Sequence, residues 1–75
     1  MNVRGAGDRW LAGDLVDGVR FAHHQSVSVV AGVHRGEFGM VLLLVTLTPE
    51  PRFLVRLASG AGDVRVAQSM LRPTN

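Results

Sequence analysis

The sequence predicts a small all-β domain, five short strands curled into a half-open barrel. Three observations lead there. Apolar and polar residues alternate over short runs, Gly and Pro punctuate those runs, and no stretch keeps a helical period. The 75 residues make one domain. Its barrel is expected over residues 13–72, with a poorly ordered N-terminal arm at 1–12 and a tail at 73–75.

The arm is polar and Gly-rich, and Trp10 and Leu11 are its first anchors. Gly13-Asp14 is a turn signal. Leu15, Val16, Val19 and Phe21 then surround Gly18, which argues against a helix and for a first strand. Val27-Ser28-Val29 alternates as a half-buried strand does, and Gly32 ends it. Gly36 and Gly39 mark a tight connection into the next strand, supplying the positive φ and close backbone approach such a turn needs. The strongest signal is Met40–Leu47, whose β-branched residues and bounded length favour a strand over a helix. Thr48-Pro49-Glu50-Pro51 stops it, because Pro cannot donate to a ladder. In the next strand Phe53, Val55 and Leu57 share one face, and Arg52, Leu54 and Arg56 share the other. Ser59–Asp63 is a hairpin turn, Val64-Arg65-Val66 a short last strand, and Gln68–Leu71 a single 3₁₀ turn that closes the barrel.

Closure has a physical motive. An open sheet carrying Met40–Leu47 would present an aggregation-prone edge. Rolling hides one face of that strand, while Leu42 or Leu43 on the other face still needs cover. A chain this small buries only about 60% of the surface it exposes when unfolded. It has no Cys with which to staple itself. A second copy is therefore the expected cover, as a homodimer or higher oligomer.

The charge excludes some function classes. All eight basic residues are Arg, and the formal net charge is +2. With no Lys, Tyr or Cys, little titrates between neutral pH and Arg itself, so the pI of about 11.2 reflects missing buffers rather than a strong positive field. No apolar leader is visible, and the run Met40–Val45 is far shorter than the ~20 residues of a membrane helix. A cytoplasmic protein with no membrane partner is expected.

Arg20, Arg35, Arg52, Arg56 and Arg65 form a candidate stripe across neighbouring strands, with Trp10, Phe21 and Phe38 as candidate stacking groups. Basic grooves with exposed aromatics suit single-stranded nucleic acid. Arg52, Arg56 and Arg65 are equally placed to pair with Asp63 and Glu50 across the ladder. His23-His24 invites a metal, with His34 as a third ligand, but neighbours on a strand point to opposite faces. No metal site is expected. Ser26, His23 or His24, and Asp14 or Asp17 can be drawn as a triad, but no nucleophile elbow accompanies them. Gly5-Ala6-Gly7 and Gly60-Ala61-Gly62 join no strand to a helix N-terminus, so neither is a phosphate loop.

The residues Val27-Ser28-Val29-Val30-Ala31-Gly32-Val33-His34-Arg35-Gly36-Glu37-Phe38-Gly39-Met40-Val41 resemble the KOW motif of SH3-like translation and transcription proteins. That resemblance implies an SH3-like barrel. It also implies a loop whose cations meet RNA, here His34 and Arg35 balanced by Glu37. Leu47-Thr48-Pro49-Glu50 and the strand, turn and strand that follow are similar to the plasmid-borne type II dihydrofolate reductases, short SH3-like barrels working as tetramers around one pore. Their pore strand reads Val-Gln-Ile-Tyr. The matching positions here are Val64-Arg65-Val66-Ala67, with Arg for Gln and Ala for Tyr.

The function expected is a non-catalytic interaction module with no cofactor. It self-associates and binds a protein partner or nucleic acid through Arg20, His34, Arg35, Phe38, Arg52, Arg56 and Arg65. The alternative is an oligomeric pore enzyme resembling the type II reductases, which requires Arg65 and Val66 to line a shared cavity.

Overall fold

The computed structural model describes residues 3–74. It is an all-β fold with one short helix. The elements run α1 (Val3–Leu11), β1 (Ser26–Val29), β2 (Phe38–Thr46), β3 (Arg52–Leu57), β4 (Asp63–Ala67), a 3₁₀ turn (Gln68–Met70) and β5 (Leu71–Pro73). The strands form a single antiparallel sheet in the order β4-β3-β2-β1-β5.

This order forces the sheet to roll. Its two edges, β4 and β5, are consecutive in the chain. Four strand-to-strand steps of about 4.8 Å would hold the edges of a flat sheet roughly 19 Å apart. The chain from Ala67 to Leu71 reaches at most ~14 Å. Among the described residues β4 and β5 share no ladder, so the roll stays open along one seam.

The inner face is the core. Val27, Val41, Phe53, Val55 and Leu57 are fully buried. As the alternation predicts, β3 turns Phe53, Val55 and Leu57 inward and leaves Arg52 and Arg56 in solvent. β2 is less regular. Extra residues at Leu42 and Val45 shift its register against β3. A bulge reverses which face the following residues meet. Val41 and Leu44 are thus both buried, while Leu43, which would have followed Val41 inward, stays 44% exposed.

Three segments depart from the sequence expectation. The N-terminal arm is not irregular through its length: α1 occupies Val3–Leu11. Gly5 and Gly7 weaken helix propensity, but Ala6 and Trp10, one turn apart, bury a common face against the sheet. The turn signal at Gly13 is the helix C-cap. Gly13 N–H donates to the Trp10 carbonyl and Asp14 N–H to that of Arg9, with Gly13 at φ +92°, a Schellman motif. Residues 15–21 are not a strand. They loop over the open end of the roll, with Val16 and Val19 packed on the core, Phe21 buried and Leu15 in solvent. The fifth strand is instead Leu71–Pro73, reaching into the expected tail and pairing with β1. The 3₁₀ turn before it lies where the sequence places one.

Trp10 plugs this end. Its Nε1 donates to the Phe21 carbonyl at 2.7 Å, and its ring lies 6.0 Å from that of Phe53. Among the described residues no helix is long and apolar enough to cross a membrane.

Candidate functional site

The structure divides the seven binding residues among separate places rather than gathering them in one stripe. Phe38 and Arg56 share a groove of about 610 Å³ on the outer face, with Ser26, Met40, Ala58 and Thr74. His34, Arg52 and Arg65 line a second depression of about 230 Å³, between the loop after β1 and the end of β4. Arg20 lines a third, about 360 Å³, with Ser69 and Arg72. Arg35 stands exposed in the turn between Gly32 and Gly36.

The first groove is built by the register around Gly39. Ser26 pairs with Met40, Ser28 with Phe38 and Met40 with Arg56, all at outward positions. Gly39 lies between them, facing in. A Cβ there would sit 2.6 Å from both the Arg56 carbonyl oxygen and Val55 Cγ1. Lack of a side chain lets β2 press onto β3 at this point, while the alternation turns Phe38 and Met40 outward. Phe38 is 59% exposed, unusual for an aromatic ring on an ordered strand. The connection before it also holds to expectation, with Gly36 at φ +92°.

The electrostatics weaken the stripe. Arg56 Nε donates to Asp63 Oδ1 at 3.1 Å, the cross-strand pairing that the register makes available. Glu50 does not pair with an arginine among the described residues; it accepts a hydrogen bond from Ser69 Oγ. His34 Nδ1 lies 3.5 Å from Glu37 Oε2, and Ser59 Oγ donates to the other oxygen of that carboxylate. Arg52 and Arg65 pair with no carboxylate among the described residues. They flank Leu54 on the outer face of β3 and β4. Of the three candidate stacking groups only Phe38 reaches solvent; Trp10 and Phe21 are core.

No known protein family, curated protein or solved structure matches this chain.

The paired histidines differ from their expected geometry. They lie in a turn rather than on a strand, with His24 at φ +67°. Their rings consequently stack face to face, centroids 3.6 Å apart, and His23 meets Trp10 edge-on. No three His, Cys, Asp or Glu side chains gather around one point among the described residues. Nor does a hydrogen bond link the side chains of Ser26, His23, His24, Asp14 and Asp17 among them.

One residue that fixes the loop carrying Arg20 escapes sequence reasoning. Gln68 is buried, its Oε1 accepts from Arg20 N–H at 2.7 Å, and its Nε2 donates to the Gly18 carbonyl at 2.9 Å. It ties the loop before β1 to the turn before β5. A polar residue between an apolar strand end and a turn carries no sequence signature of such a clamp.

Proposed function

We propose that the chain is a non-catalytic interaction module built as an SH3-like half-open barrel. It self-associates, and it binds an apolar segment of a protein partner in the groove around Phe38. The observation that carries this reading is the exposed Phe38 ring, held on a strand beside Met40 over a groove whose one charged wall, Arg56, is paired with Asp63. A nucleic-acid site draws on concentrated cations. Here the candidate arginines lie in four places, and the one in this groove is paired with Asp63. The pore-enzyme alternative needs Val66 to face a shared cavity, whereas Val66 is packed in the chain's own core.

The test is selection of binders from a random peptide library, followed by chemical-shift mapping on the labelled chain. Bound peptides are expected to carry an apolar or aromatic anchor and to perturb Phe38, Met40 and Arg56. Covering the exposed Phe38 ring is worth on the order of 2 kcal/mol, so Phe38→Ala should raise Kd about 30-fold. Shifts centred on Arg52 and Arg65 upon titration with a single-stranded oligonucleotide, with no peptide selected, would replace the protein-partner reading with a nucleic-acid one.

A further inference from the structure

We infer that two copies of the chain join about a two-fold axis through the outer face of β2 and β3, with α1 and β4 at the two rims. This inference rests on the self-associating reading above and names the surface that serves it. Leu43 and Leu54 are partners across the β2–β3 ladder, and both lie on the outer side. Leu43 is 44% exposed, and α1 sets Leu11, 42% exposed, beside it. With Val45 they line a groove of about 510 Å³. The bulge at Leu42 is what places Leu43 there, since a regular strand would have turned it inward behind Val41.

The charges say what covers the patch. Among the described residues Asp8 is the only acid lining this groove and Arg65 the only base. Their placement follows from the topology. Helix α1 packs on β2, and β4 lies on the far side of β3. Asp8 therefore stands at one rim and Arg65 at the other, with the leucines between them. A two-fold interface requires a patch complementary to itself. Rotation about an axis that lies in the interface and runs along the strands, between Leu43 and Leu54, lays each copy's Asp8 against the Arg65 of its mate, twice over. A partner of one charge sign would engage one rim and be repelled at the other.

Sedimentation of the intact chain across the micromolar range tests this, with circular dichroism as the check that variants fold. The wild type is expected to be a dimer. Leu43→Arg, at an exposed position, should be monomeric. Asp8→Arg or Arg65→Asp alone should weaken the dimer about tenfold, and the two together should restore it to within a few-fold of the wild type. If Leu43→Arg fails to fold, the charge-swap set decides alone. A wild type that stays monomeric throughout overturns the self-associating reading and this inference with it. A dimer that persists in Leu43→Arg and ignores both charge reversals uses another face, which overturns only the inference.

Discussion

Replacing Gln68 by Met isolates the clamp that closes the open end of the roll. Met keeps the length and most of the volume of the side chain but removes both hydrogen-bonding groups. Two backbone groups then lose their partners, the Arg20 N–H and the Gly18 carbonyl. A buried group left unpaired costs about 1–3 kcal/mol. Both sites are only part-buried, so water recovers some of that, and a loss of about 2 kcal/mol is expected. For a domain of this size each kcal/mol moves Tm by about 4–8 °C, so thermal unfolding followed by circular dichroism should show a fall of roughly 10 °C. Gln68→Glu keeps the acceptor for Arg20 but sets an oxygen against the Gly18 carbonyl, and should be no better than Met. A Gln68→Met variant within about 0.5 kcal/mol of the wild type, the range of ordinary surface changes, would refute the clamp. Burial of Val16, Val19 and Phe21 would then suffice to hold the loop.

Other substitutions probe the remaining joints. Gly39→Ala forces a methyl group against the Arg56 carbonyl, which cannot rotate away, and should cost about 1–3 kcal/mol in urea unfolding; unchanged stability would show that β2 does not press on β3 there. Trp10→Phe leaves the Phe21 carbonyl unpaired in the core and should cost about 2–3 kcal/mol. Since Trp10 is the single Trp, native wild-type fluorescence should be blue-shifted and move red on unfolding; emission at the solvent wavelength in the native state would place the ring outside. Asp63→Asn removes an exposed ion pair and should change stability by less than about 1 kcal/mol, with a larger loss indicating that the pair organises the β3–β4 hairpin.

Much of the sheet was legible in the sequence because it is written in period two. Phe53, Val55 and Leu57 alternate without interruption, and the structure buries all three. β2 was legible as a strand but not in its facing, because nothing in a run of Met, Val and Leu marks where an extra residue enters. Leu43 and Leu44 look equivalent in the sequence, and the bulge at Leu42 decides that Leu44 is core and Leu43 is surface. The helix was hidden for a different reason. Gly5 and Gly7 lower its local propensity, and what forms it is tertiary, the burial of Ala6 and Trp10 over the end of the sheet. Residues 15–21 show the converse. Their apolar content resembles a strand, yet Val16, Val19 and Phe21 reach the core from a loop fastened by Gln68. The candidate arginines were recognisable as exposed charge, but their scatter over separate places depends on strand register and on how the loops at Arg20 and Arg35 fold, which a single sequence does not encode locally.

The fold depends on the rolled strand order, and above all on β1 lying between β2 and β5. Backbone NOEs of the labelled protein test it most directly. Contacts are expected from Ser28 to Phe38 on one side and to Arg72 on the other. A spectrum in which Ser28 meets Phe38 but nothing near Arg72, with the amides of Leu71 and Arg72 unprotected from solvent exchange, would leave the sheet unrolled and contradict this strand order.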